Sequence, residues 1–258
     1  MFNVDLCRVA VVTGASGHIG SSLVRKLLGE NWAVIAVDYE SATDVGNVTS
    51  VEGHLLFLPS DLESESDRNS TVKRIRSASN RLDALIHCAA FVGDSALDGW
   101  NTDLSHQSVA TWRRAMEVNL TAPFHLTRDL AELLKKSEDG SVVNVASIYG
   151  EFGPDLRLYE GLDMNNPAAY AASKGGLIQL TKWLSTVLAP HVRVNAVSPG
   201  GVYRNQDPTF VQRYSAKVPL ARMASEEDVV ESILFLISER ARYITGQVLR
   251  VDGGWGVW

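Results

Sequence analysis

The chain has 258 residues, with 30 acidic against 24 basic side chains and a formal net charge of −6. That balance, with no basic run, argues against a nucleic-acid or anionic-membrane partner. Its two cysteines, Cys7 and Cys88, with no Cys/His cluster, argue against a disulfide framework or a metal site, and no apolar run is long enough to span a bilayer.

Short runs rich in Val, Ile and Leu fall at 9–12, 33–37, 55–58, 84–87, 142–146, 192–197 and 247–251. Little polar alternation interrupts them, so they read as strands of a parallel sheet covered on both faces. Helical patterns lie between them, near 19–29, 64–79, 108–118, 121–136, 168–188 and 226–237. The last opens on Ser225-Glu226-Glu227-Asp228, a hydroxyl cap followed by carboxylates at the positive helix end. Alternation of strand and helix predicts right-handed βαβ units in one α/β domain over 1–258, a doubly wound Rossmann-type sheet of about seven strands. Two long loops, 91–107 and 148–167, are expected to carry function. No basic-then-apolar leader opens the sequence, which sets a cytoplasmic expectation.

The first strand runs into Thr13-Gly14-Ala15-Ser16-Gly17-His18-Ile19-Gly20, which opens a helix. Glycines there let the backbone turn sharply against a pyrophosphate, and the helix start supplies N–H groups and positive dipole. The second strand ends at Asp38, 18 residues past Gly20, suitably spaced to accept hydrogen bonds from ribose hydroxyls. A 2′-phosphate would meet like charge at Asp38, and Tyr39-Glu40-Ser41-Ala42 offers no cation to offset it. NAD is therefore the expected cofactor. Asp61 suits either the adenine edge or a helix cap.

Tyr170-Ala171-Ala172-Ser173-Lys174 places a phenol and an ammonium four residues apart, on one helix face. Ser147 closes a strand, where a hydroxyl can enter a cleft or cap the strand end. Asn119 lies in Val118-Asn119-Leu120-Thr121-Ala122-Pro123-Phe124 and by itself reads as a helix cap.

Taken in order, the glycine turn, Asp38, Asp61, Asn119, Ser147, Tyr170, Lys174, Ser198-Pro199-Gly200 and Val251-Asp252-Gly253-Gly254-Trp255 resemble the short-chain dehydrogenase/reductase family along nearly the whole chain. The resemblance implies that Tyr170 exchanges the proton, Ser147 binds the reacting oxygen, Lys174 holds the nicotinamide ribose and lowers the Tyr170 pKa, and Asn119 supports a proton-relaying water. It implies cofactor contacts at Gly14, Ser16, Gly17, His18, Ile19, Gly20, Asp38, Asp61, Leu62, Ala89, Pro199, Gly200 and Val202. It also implies a homo-oligomer, a tetramer, assembled through 226–237 and 247–251.

Three departures lean toward sugar-type relatives. The glycines read TGxxGxxG rather than TGxxxGxG, His87-Cys88-Ala89-Ala90 stands in place of Asn-Asn-Ala-Gly, and 23 residues separate Ser147 from Tyr170. Only 84 residues follow Lys174, too few for the substrate domain of the larger sugar-nucleotide branch. The loop 148–167 also resembles dehydrogenases of surface-glycan and nonulosonic-acid pathways.

That loop sets Glu151, Asp155, Glu160 and Asp163 against Arg157 alone. It is either a solvated acidic lid or a surface that reads hydroxyl and amino groups. Tyr149, Arg157, Tyr159 and Arg204 are the candidate substrate residues. His87 is expected to tie strands together by hydrogen bonds, Cys88 to be buried and unreactive, and Trp32 and Trp183 to be core. Trp100, in Asp98-Gly99-Trp100-Asn101, is less easily explained by packing, and Trp255 and Trp258 suit an interface or the cleft.

The expected activity is hydride transfer between NAD(H) and a secondary alcohol or ketone on a sugar or amino-sugar derivative. The rivals are a 3-oxoacyl-carrier reductase, an NAD-dependent sugar-nucleotide epimerase or dehydratase that returns its hydride, and a regulatory module without turnover.

Overall fold

The computed structural model describes residues 7–39, 54–92 and 97–258. Glu40, Ser41 and Ala42 of the cofactor reading, and 93–96 of the first long loop, lie outside them. All seven expected strands form: β1 (Val9–Thr13), β2 (Ala33–Asp38), β3 (Leu55–Pro59), β4 (Ala84–His87), β5 (Gly140–Val145), β6 (Val192–Pro199) and β7 (Val248–Val251). They make one parallel sheet in the order β3-β2-β1-β4-β5-β6-β7. β1, β4, β5 and β6 are buried along their whole length, as unbroken Val/Ile runs require when helices cover both faces.

The helices are α1 (His18–Gly29), α2 (Glu65–Ala78), α3 (Val109–Met116), α4 (Ala122–Leu134), α5 (Ala168–Leu188), α6 (Pro208–Lys217) and α7 (Glu226–Ile237). α1 and α7 close one face over Leu23, Leu27, Val230 and Ile233. α4 and α5, with α2, close the other over Leu126, Leu130, Leu184 and Ile75. α7 begins where expected, with Ser225 and Asp228 exchanging side-chain-to-backbone hydrogen bonds. The chain order reverses between β1 and its neighbours β2 and β4, which opens a crevice at the strands' carboxyl ends.

Several expectations are corrected. α6 has no counterpart among the expected helices. Its signals are local: Asp207 accepts from the Thr209 N–H at 2.7 Å, Pro208 fills the first turn, and Phe210 and Tyr214 are buried one turn apart. α3 does not stop before α4, because a π-type turn over Glu117–Thr121 joins them. Asn119 is therefore inside a helical segment and is not a cap. Trp183 is 53% exposed on α5, whereas Trp32 is core at 2%. His87 ties its strand to α4 rather than to another strand, through Nε2 and the Thr127 hydroxyl at 3.0 Å. Trp100 is packed after all, edge-on to Phe91 and only 4% exposed. Among the described residues no helix is long and apolar enough to cross a membrane.

Candidate active site

The crevice holds a cleft of about 720 Å³ along the carboxyl ends of β1, β2, β4, β5 and β6. Gly14, Ser16, Gly17, His18, Ile19, Gly20, Asp38, Asp61, Leu62, Ala89, Pro199, Gly200 and Val202 all line it. A second cavity of about 480 Å³ adjoins, and Ser147, Tyr170 and Gly200 belong to both. The reacting groups named by sequence thus stand where a long groove meets a side chamber.

The groove suits a dinucleotide by its own geometry. Gly14 has φ +67°, and a Cβ there would lie 2.5 Å from the Ala89 nitrogen, so only glycine lets these backbones approach. Gly17 caps α1 without any side-chain bond to the first helical N–H groups. The buried Ser16 hydroxyl has no partner. An uncapped helix start with an unpaired hydroxyl beside it is a ready anion cradle. Asp38 accepts from the Ser16 N–H at 2.7 Å and holds this turn against β2 while facing the groove. Asp61 also faces it; the α2 cap is Ser64, so Asp61 is not spent on capping.

At the junction Ser147 ends the strand segment and accepts from the Tyr149 N–H at 3.2 Å. Its side chain and the Tyr170 phenol line the same junction of groove and chamber. Burial pushes the Tyr170 pKa up, and the Ser147 hydroxyl and the Arg204 guanidinium pull against that rise. Lys174 is 2% exposed and donates to the Val145 carbonyl at 2.7 Å. Burial brings its ammonium down to about 8, opposed by Cys88. The Arg204 charge favours the Tyr170 phenolate, and the Lys174 ammonium lies 5.8 Å from the centre of the Tyr170 ring. Asn119 is wholly buried; its amide accepts from the Phe91 N–H at 2.6 Å and donates to the Ser173 hydroxyl at 3.0 Å. It fastens the start of the first long loop to α5 beside Tyr170.

His87 is held near a pKa of 3, chiefly by burial and secondly by the Lys174 charge, which removes it as a base. Burial lifts the Cys88 thiol to about 12. Among the described residues no group of His, Cys, Asp and Glu could hold a metal ion.

The side chamber is walled by Tyr149, Tyr159, Asn165, Asn166, Trp100 and Phe210, among others. The Tyr149 and Tyr159 hydroxyls bond each other at 2.5 Å. Asn166 Oδ1 is buried without a partner. Arg157 is not part of this wall. It is 83% exposed along its side chain and grips Asp155 with two hydrogen bonds, at 2.8 and 2.9 Å. Arg204 does line the groove, paired with Glu226 at 3.4 Å. The acidic loop is also not a free lid: Glu151 pairs with Arg250, and Asp155 with Lys217 as well as Arg157. Only Asp163, Asn165 and Asn166 of its polar end reach the chamber.

Over residues 14–256 the chain matches the family model described as enoyl-(acyl carrier protein) reductase. The chain belongs to the short-chain dehydrogenase/reductase family. It is an NAD(P)-dependent oxidoreductase of hydroxyl and keto groups. It is similar to the post-translational flagellin modification protein A of Campylobacter coli, 26% identical over 257 residues that cover 97% of this chain and 98% of that protein. It is 33% identical to the cis-4-hydroxycyclohexanecarboxylate dehydrogenase of Sinomonas cyclohexanicum, over 96% of each chain. A short-chain dehydrogenase of Leptospira borgpetersenii serovar Hardjo-bovis, solved with bound NAD+, superimposes with a TM-score of 0.86 at 32% identity, covering 96% of this chain and 92% of that one.

Sequence reasoning missed part of this dehydrogenase's chamber: Trp100, Asn101, Gln206, Phe210, Tyr214 and Met223. Phe210 and Tyr214 come with α6, whose signal was Asp207-Pro208 followed by apolar residues at helical spacing. Trp100 and Asn101 lie in a loop that no periodicity marks.

Proposed function

We propose that the chain oxidises a secondary alcohol, or reduces the matching ketone, on a polyhydroxylated sugar or amino-sugar derivative, with NAD(H) as cofactor. The observation that carries this reading is the hydroxyl- and amide-bearing chamber opening directly onto Ser147 and Tyr170. When bound, the nicotinamide supplies or takes the hydride. Ser147 orients the reacting oxygen, and Tyr170 gives or takes its proton. Lys174 holds the ribose from the floor of the groove, and Asn119 keeps α5 in place beneath Tyr170. Likeness to a protein named for flagellin modification supports a substrate drawn from the modification of a surface protein.

An acyl thioester is the rival, since the matched family model carries an acyl-carrier description. The loop's leucines give it no channel: Leu156 is 60% exposed, while Leu158 and Leu162 pack against the chamber's aromatic wall without lining the chamber themselves. A chamber built to bond hydroxyls rejects analogues that lack them, by roughly 10⁴-fold where its polar groups are left unpaired. Hexoses, amino sugars, sugar phosphates, sugar nucleotides and β-ketoacyl thioesters, followed by NADH absorbance, test this. Sugars are expected to give the highest kcat/KM; thioesters active with sugars silent would sink the reading. Sugars converted without net NADH would transfer the case to an epimerase.

The preference for NAD rests on Asp38. The chain from 39 to 53 holds no Arg or Lys, so a 2′-phosphate beside that carboxylate would be unpaired. NADP(H) is expected to bind about 100-fold more weakly than NAD(H), on the order of 2–3 kcal/mol of uncompensated charge. Titration of both dinucleotides measures it, and Asp38→Asn should narrow the gap. Equal affinities in the parent chain would remove Asp38 as the discriminator.

A further inference from the structure

The sequence has two glycines after Pro199, and the family resemblance accounted for only the first. The structure gives both a reason in Tyr214, a residue of α6 that is 2% exposed. A Cβ on Gly200 would lie 2.7 Å from the Tyr214 hydroxyl, and one on Gly201 would lie 2.9 Å from the ring's Cζ. The phenol rests against this turn, and its oxygen accepts the Gly201 N–H at 2.5 Å. No side chain fits between helix and turn.

Tyr214 is itself held from the other side. Its ring stacks on Trp255 at 4.6 Å with a 17° interplanar angle. Trp255 in turn lies beneath the Lys217 ammonium, 4.8 Å from the ring centre. One turn of α6 away from Lys217, Arg213 donates to the carbonyls of Leu158 and Glu160, at 3.3 and 2.7 Å. Lys217 also pairs with Asp155. α6 is thus pinned to both the acidic loop and the chain's last turn, and only one of its hydroxyls reaches back to the backbone after β6. That backbone, Gly200, lines both the groove and the chamber.

We propose that Tyr214 is a positioning residue for the nicotinamide end of the groove: through the Gly201 N–H it fixes the Gly200–Gly201 turn and ties that turn to the helix roofing the substrate chamber. This rests on the dinucleotide reading of the groove. A turn held by a buried phenol presents its carbonyls and N–H groups in one geometry, and loses that definition when the oxygen is removed. The adenine half, between Asp38 and Leu62, is at the far end and shares no contact with Tyr214.

The difference between the two ends makes the test. Tyr214→Phe keeps the ring on Trp255 and Phe210 and deletes only the oxygen. Calorimetric titration with NADH and with ADP-ribose, which lacks the nicotinamide, should show NADH binding about fivefold weaker and ADP-ribose unchanged, the loss of one neutral hydrogen bond. Gly201→Ala should weaken NADH more, and the double variant should be no worse than Gly201→Ala alone, because both changes break one contact. Unchanged NADH affinity in Tyr214→Phe, equal weakening of both ligands, or full additivity in the double variant would each overturn the proposal. If the parent chain binds neither ligand, the dinucleotide reading fails, and this proposal with it.

Discussion

Tyr170→Phe is expected to lower kcat by about 10³-fold, within the range set by loss of a positioned proton donor, while NADH affinity stays close to that of the parent. The ring keeps its packing against Trp100, Ala115 and Ala169, so the fold has no reason to shift. What disappears is the hydroxyl that shares the mouth of the chamber with Ser147. The direction of its pKa adds a second expectation. Burial raises it, so the phenol is protonated at neutral pH and stands ready to protonate a ketone oxygen. Alcohol oxidation needs the opposite state, so its kcat/KM should climb with pH through the alkaline range as the phenol ionises. Ketone reduction should be level near neutrality and fall over that range. Arg204→Gln removes the cation that favours phenolate and should move both alkaline limbs to higher pH. Stopped-flow measurement of the hydride-transfer step separates chemistry from product release. A Tyr170→Phe chain that keeps most of the parent's rate constant would falsify the assignment of the proton to this residue.

The parts legible in the sequence were those fixed by local periodicity or by backbone geometry. Unbroken runs such as Val9–Val12 have one solution, a strand covered on both faces, and the strands follow them within a residue or two. Gly14 was legible because its left-handed φ and its closeness to Ala89 leave no alternative residue. Asn119 was legible only through family likeness; its π-type turn and its bonds to Phe91 and Ser173 join segments far apart in the chain. The charges of loop 148–167 misled, because whether a carboxylate faces a ligand or a cation depends on partners outside the loop. Arg250 and Lys217, which take up Glu151 and Asp155, lie far from the loop in sequence. The same holds for Arg157: its partner, Asp155, is two residues away and draws the guanidinium outward, a local pairing that outcompetes the cleft. Tyr214 was invisible because its role is a contact with backbone, and glycine pairs carry no mark of what lies against them.

Lys174→Met should produce a chain that is less active yet more stable. The ammonium sits almost wholly out of water with one carbonyl, that of Val145, as its bonded partner. Burial brings its pKa from 10.5 to about 8. At ~1.36 kcal/mol for each tenfold change in proton affinity, that amounts to roughly 3 kcal/mol lost from the folded state. Methionine fills similar space without charge, but leaves the Val145 carbonyl unpaired, at about 1–3 kcal/mol. The balance favours the variant by about 1–2 kcal/mol, a rise of a few degrees in Tm for a chain of this size. The sign of the pH dependence follows from the depressed pKa. Below about pH 8 the lysine is protonated in both folded and unfolded chains, and the parent bears the full penalty. Between about 8 and 10.5 the folded chain sheds the proton first, so the parent gains stability as pH rises and the gap to Lys174→Met closes. Function moves the other way: the variant loses a charged hydrogen-bond donor beside Tyr170, and both kcat and NADH affinity should fall by about tenfold or more. Urea unfolding of both chains at pH 7 and pH 10, with NADH titration, checks each half separately. A variant less stable than the parent at pH 7 would mean that the Val145 bond outweighs desolvation. Unchanged NADH affinity would mean that the buried ammonium is structural and does not reach the ligand.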